Sequence, residues 1–198
     1  MTEPEPERGP GPEWVSSSAP YLAPRDAAAP DPWRQEAQRA GRVGGHRLLG
    51  AGPQVPPERV ARLLGIEPGA AAVLRRRLVT LDDAPVEISD SWYPLEIAGG
   101  TGLAAARPIR GGALRALADL GFVAARHVEE VAVVDLPEAL RALLPEHVVI
   151  ELTRVGYTAT GVPIEVAVML MAREPVPGVP RRLRYEFSAG EQGERPGP

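Results

Sequence analysis

The spacing of apolar positions changes period several times along the chain. In PPERVARLLGI, Val60, Leu63 and Leu64 fall on one face at helical spacing. Pro57 suits a first turn and Gly65 a stop, so a helix is predicted there. Two runs of strand character follow, AAVLRRRLVTL and PVEISDSWYP, joined by Asp82-Asp83-Ala84, and that spacing predicts a hairpin. GGALRALADLG predicts a helix ended by Gly121, RHVEEVAVVDL a strand, PEALRALL a helix and HVVIELTRVGYT a strand. A turn at Thr160-Gly161 leads into the strand VPIEVAVMLMA, with a short last strand from Arg182 to Ser188. Upstream, WRQEAQRAG reads as a short helix and HRLLGAGPQV as a strand and turn. Hairpins without regular βαβ alternation argue for an α+β domain around an antiparallel sheet.

Strand alternation also picks out polar residues that share a face. In PVEISDSWYP, Val86, Ile88 and Trp92 lie on one face and Glu87, Ser89, Ser91 and Tyr93 on the other. The apolar set is expected to face the helices, so Glu87, Ser89 and Ser91 line either solvent or a pocket. VPIEVAVMLMA is apolar on both faces, with Val162, Ile164, Val166, Val168 and Leu170 opposite Pro163, Glu165, Ala167, Met169 and Met171. A strand of that kind is covered on both sides. Burying the Glu165 carboxylate there is costly unless it is paired, so it is expected to meet an arginine or a ligand, the alternative being an exposed edge. Arg154 shares a face with Val148, Ile150 and Leu152. It suits a salt bridge, to Glu165 across the hairpin, or recognition of an anion in a pocket. The ordinary reading of Arg75, Arg76 and Arg77 is a solvated, alternating strand.

Composition narrows the choices. The 198 residues have room for one domain with tails. Residues 1–32 hold eight prolines and no helical apolar period, and GEQGERPGP closes the chain. Both ends are expected to be disordered, giving a domain over 33–188 flanked by tails 1–32 and 189–198. Neither tail can form a helix-turn-helix. The net charge of −4 gives no support for a phosphate-binding surface over the whole molecule. All 22 basic residues are arginine, which points to a GC-rich genome rather than to a function. Without cysteine, disulfides, thiolate metal sites and cysteine nucleophiles are excluded. There is no signal-peptide pattern, and no apolar run approaches the roughly 20 residues that span a bilayer, so a soluble, cytoplasmic protein is expected. His46, His127 and His147 are far apart with no metal-ligand spacing, and are read as surface residues. Nucleophile-elbow, Walker and Rossmann patterns are absent; no catalytic residue, metal or cofactor is expected. The glycine-rich IAGGTGLAAARPIRGGAL reads as a loop covering a pocket, with Gly112 able to lend backbone N–H groups at a helix start.

Taken in order, these segments resemble the UTRA effector-binding domain of GntR-type transcription regulators of the HutC subgroup. The resemblance rests on PPERVARLLGIEPG, on VLRRRLVTLDDAPVEISDSWYP with its Asp-x-x-Pro hairpin, on IAGGTGL followed by IRGGALRALADLG, on TRVGYTATGVPIEVAVMLMA with Gly161, Pro163 and Glu165, and on RYEF. Asp83 stands where the family has glycine, and aspartate tolerates the left-handed conformation. VEEVAVVDL lacks an arginine often found at the corresponding place. The resemblance implies a chorismate-lyase-like fold holding a small effector beside the sheet, and a homodimer. It implies no direct DNA binding by a chain without a winged helix-turn-helix. It places Arg77 at a position that binds effector anions, while Val79 replaces a second arginine. With Met169 and Met171 nearby, the implied ligand is partly apolar and carries a carboxylate. The expected effector-binding set is Arg77, Ser89, Ser91, Arg154, Glu165, Met169 and Met171. The alternative is a chorismate-lyase-like enzyme acting on a small carboxylate or aromatic substrate, with Glu165 as acid–base group and Arg154 as anion binder.

Overall fold

A computed structural model describes residues 13–22, 24, 26 and 30–186. The expected tail at 189–198 and the first twelve residues lie outside the described residues. Eight strands and four short α-helices are present among them: β1 (Trp14–Ser17), α1 (Pro32–Arg39), β2 (Gly44–Gln54), α2 (Glu58–Leu64), β3 (Ala72–Leu81), β4 (Ala84–Pro94), α3 (Leu95–Ala98), α4 (Gly112–Asp119), β5 (Arg126–Asp135), β6 (Val148–Tyr157), β7 (Pro163–Met171) and β8 (Arg181–Arg184). Six of the strands form one antiparallel sheet in the order β2-β3-β4-β7-β6-β5. The α+β, antiparallel architecture is the one predicted.

Local chemistry explains the main elements. Asp82 and Asp83 both have positive φ, 48° and 66°, in the two-residue turn between β3 and β4. That is the geometry whose twist suits a tight hairpin, and aspartate tolerates it. In α1, Pro32 opens the helix and the Asp31 side chain accepts a hydrogen bond from the Arg34 N–H at 3.2 Å. α2 ends at Gly65 with φ 67°.

One sheet face carries the helical core. Val60 and Leu64 of α2 pack on Ala72, Leu74, Trp92, Val155 and Val166. Further along the same face, Leu78, Ile88, Val149 and Leu170 pack with Leu136 and Leu144. The segment predicted as a helix at PEALRALL contains only a 3-10 turn, Glu138–Leu140, preceded by Pro137. Seven residues between Pro137 and Pro145 leave little room for a regular helix to propagate.

Three further expectations need correction. Trp14–Ser17, expected to be disordered, forms β1 and pairs in parallel with β8. Trp14 is buried against Trp33, ring centroids 5.5 Å apart, in a cluster with Val79, Leu81 and Val86. Two large indoles thus offset the ordering cost of a proline-rich segment. Strict alternation fails at Val86 because the β3–β4 register shifts after Val79, which turns Val86 towards the Trp33 side. A second shift, between Gly156 and Tyr157, leaves Ile164 without a partner in the ladder, and it packs with Tyr93 and Val73 instead. Val162, assigned to the apolar face, lies outside β7 and is 46% exposed.

Candidate functional site

The second sheet face is the floor of a cavity of about 160 Å³. That is close to the ~150 Å³ of an engineered apolar cavity large enough for benzene. Its roof is built from elements at both ends of the chain. Ser16, Ser17, Ser18 and Tyr21 come from the segment around β1, Trp33 and Glu36 from α1, Arg181 and Leu183 from β8, and Gly111 to Leu114 from the start of α4.

Strand register arranges the floor in rows. Arg75, Ser91, Ala167 and Arg154 lie side by side across β3, β4, β7 and β6, and Glu129 of β5 extends the row. The next row is Arg77, Ser89, Met169 and Leu152; the one beyond it is Val79, Glu87, Met171 and Ile150. All seven residues expected in the effector set, Arg77, Ser89, Ser91, Arg154, Glu165, Met169 and Met171, line this one cavity. Arg77 and Glu165 lie on the same side of the sheet.

The three consecutive arginines have three different environments. Arg75, expected in a solvated strand, is buried. Its Nη1 donates to the carbonyls of Leu103 and Ala105 at 2.8 Å each, and Nη2 to that of Arg107 at 2.8 Å. Burial pushes its pKa down. It therefore ties the glycine-rich loop to the sheet, and that loop leads to the cavity wall at Gly111. Arg76 points to the other face, where Nε and Nη2 donate to the two oxygens of Asp90 at 2.7 and 2.6 Å, a bidentate pair that raises the arginine pKa. Arg77 faces the cavity, and its hydrogen bond among the described residues is a long one, 3.3 Å, to Ser89 Oγ. Of the three, Arg77 is the least engaged by protein partners among the described residues.

The predicted Arg154–Glu165 bridge is not formed. Arg154 Nε donates to Glu129 Oε1, its direct neighbour across β5–β6, and the two side chains are 10% and 12% exposed. Glu165 pairs with Gly156 in the ladder and accepts instead from the Tyr93 hydroxyl at 2.8 Å. Burial and the Glu165 charge hold the Tyr93 phenol well above its usual pKa, so it stays a donor. Each group invoked for an enzymatic reading is thus engaged by a fixed protein partner. Among the described residues no group of three His, Cys, Asp or Glu is placed to hold a metal.

Several cavity residues escaped the sequence reading. Glu36 accepts from Trp14 Nε1 and from Ser16 Oγ at 2.7 Å. Burial and the charges of Glu36, Glu87 and Asp31 raise the Tyr21 pKa. Arg181 is buried against Trp33, donating to the Ala172 carbonyl at 3.1 Å. Of the histidines read as surface residues, His46 lines the cavity and pairs with Asp31 at 2.9 Å. His127 is half-buried, 2.9 Å from the Leu22 carbonyl. No signal in the sequence marks these contacts, because they join segments that share no local pattern.

Glu87 supplies a pH test. Burial raises its pKa; Arg181, Arg77 and His46 oppose the rise, and Glu36 adds to it. The fold therefore holds this proton more tightly than the unfolded chain, and its contribution to stability declines as pH rises above the ordinary carboxylate range. Glu87→Gln is expected to stabilise the ligand-free domain at neutral pH, with the gain shrinking as pH is lowered. Thermal unfolding of both proteins across pH checks this, and a variant less stable at neutral pH would contradict it.

The fold agrees with comparisons to known proteins. The UTRA domain family matches residues 39–174. No curated protein matches the chain. Among solved structures, PhnF from Mycobacterium smegmatis is 18% identical with a TM-score of 0.64, covering 89% of this chain and 73% of that one. The effector domain of PhnF is 19% identical with a TM-score of 0.59, covering 83% and 99%. A GntR-family transcriptional regulator from Enterococcus faecalis is 16% identical with a TM-score of 0.56, covering 74% and 100%. At these identities the structures establish the fold, and the family match extends over most of the described residues. The chain belongs to the UTRA domain family, the effector-sensing domains of transcription regulators.

Proposed function

We propose that the cavity binds a small, partly apolar, carboxylate-bearing effector, and that the chain works as the sensing and dimerisation module of a cytoplasmic HutC-type regulator. The observation that supports this most is Arg77. Its guanidinium sits on the floor of a ligand-sized cavity with no carboxylate partner among the described residues. Ser89 and Ser91 beside it supply directional hydrogen bonds, and Met169 and Met171 an adaptable apolar wall. The described residues contain no winged helix-turn-helix, so direct DNA contact is assigned to another chain or segment.

The test is a thermal-shift screen against metabolites, since a bound ligand raises stability as RT ln(1 + [L]/Kd). For the strongest hit, Arg77→Ala is expected to cost about 1.5–3 kcal/mol of binding free energy, the range for a charge-assisted hydrogen bond. The variant's own unfolding temperature should change little. An Arg77→Ala protein that binds as tightly as the parent would remove Arg77 from the site.

The proposed homodimer forms through the sheet edge at β5, where Val131 and Val133 are 50% and 68% exposed. Sedimentation equilibrium at micromolar concentration is expected to give twice the chain mass; a monomer mass would exclude the dimer.

A further inference from the structure

Arg77 and Glu87 stand on adjacent strands one row apart. Arg77 pairs with Ser89, so Glu87 is its diagonal neighbour, a spacing of about 7–8 Å between backbones. Both line the cavity and no ion pair joins them. The Glu87 carboxylate has no hydrogen-bond donor among the described residues. Arg181, the other nearby cation, donates to the Ala172 carbonyl and the Met171 sulfur, so it lends Glu87 its field but no hydrogen bond. Glu36 is held by Trp14 and Ser16, Glu165 by Tyr93, and Arg154 by Glu129. Among the arginines and carboxylates of the cavity floor, Arg77 and Glu87 are thus the two without a charged or hydroxyl-donating protein partner. Val79 and Ser89 complete the square between the two charges, and Met169 and Met171 lie beyond Ser89 and Glu87 across β4–β7.

Arg77 and Glu87 are both half-buried, and a charge drawn partly out of water without a partner is unfavourable. These two, of opposite sign and a row apart, are not joined to each other in the ligand-free structure. A ligand that carries both complementary groups relieves both. We propose that the effector is amphoteric: a carboxylate meets Arg77, a protonated nitrogen meets Glu87, and the short link between them crosses Val79 and Ser89 with Met169 and Met171 alongside. The assignment rests on the effector-binding reading above and adds the cationic end.

The test uses the full chain and three matched sets of probes: short straight-chain ω-amino carboxylates from glycine to aminohexanoate, carboxylates of the same length, and alkylamines of the same length. Binding is read by thermal shift and by calorimetry at millimolar concentration. At the best chain length the amino carboxylate is expected to bind about tenfold or more tightly than either monofunctional probe, one added charge-assisted contact. Glu87→Gln is expected to abolish the preference for the amino carboxylate over the plain carboxylate, whose own affinity does not fall. Plain carboxylates binding as well as amino carboxylates, or a Glu87→Gln protein that keeps the preference, would overturn the amphoteric assignment and leave the anion site standing. Binding of alkylamines alone, or of no probe from any set, would overturn both.

Discussion

Arg154→Ala is expected to lower the stability of the domain by about 3 kcal/mol, the lower end of the range for breaking a buried ion pair, because a trace of solvent reaches both side chains. The substitution strands the Glu129 carboxylate. Ser18 Oγ donates to the other oxygen of that carboxylate at 2.9 Å, and the Arg154 guanidinium lies 6.0 Å from the Tyr21 ring centre. Loss of Arg154 therefore loosens the early segment over the cavity as well as the β5–β6 pair. Chemical denaturation of Arg154→Ala, Glu129→Gln and the double variant checks the assignment. The double variant is expected to be clearly less destabilised than the sum of the two singles. Strict additivity would show that the two groups do not depend on each other.

Arg75→Ala is expected to have a comparable effect, about 3 kcal/mol, through a different route. It removes charged donors from three loop carbonyls at 2.8 Å, and each carbonyl left dry costs roughly 1–3 kcal/mol unless water reaches it. The loop between α3 and α4 is the part that gives way. Hydrogen exchange is expected to speed up at Ala104 and Ala105, whose N–H groups bond to Thr101 and Gly102 within that loop, while α2 stays protected. Unchanged exchange in the loop would contradict the tethering role of Arg75. By contrast, Arg77→Ala removes one long hydrogen bond to Ser89 and is expected to act on binding rather than on folding.

The contrast between these arginines shows where sequence reasoning works and where it stops. The family resemblance singled out Arg77 on β3. Period-two alternation grouped Ser89 with Ser91 on β4, and Glu165 with Met169 and Met171 on β7, because these strands keep their pleat through the middle of the sheet. It failed at Val86 and Ile164, where register shifts add a residue that no local pattern announces. It placed Arg154 on the cavity face but gave it the wrong carboxylate. Hairpin proximity suggested Glu165, whereas the register sets Glu165 opposite Gly156 and Glu129 opposite Arg154. Arg75 shares the face of Arg77, yet its burial depends on a loop some thirty residues away. The early proline-rich segment was misread for a similar reason. Its order comes from the Trp14–Trp33 contact and from pairing with β8 at the far end of the chain, and composition describes neither.

The proposed effector site is the cavity between the sheet and the β1–α1 segment. A crystal structure of the chain with the strongest thermal-shift ligand tests it most directly. The ligand is expected on the sheet floor, its anionic group within hydrogen-bond distance of the Arg77 guanidinium and its body against Met169 and Met171, beneath Tyr21 and Trp33. A ligand bound elsewhere on the domain, with Arg77 still resting on Ser89, would contradict it.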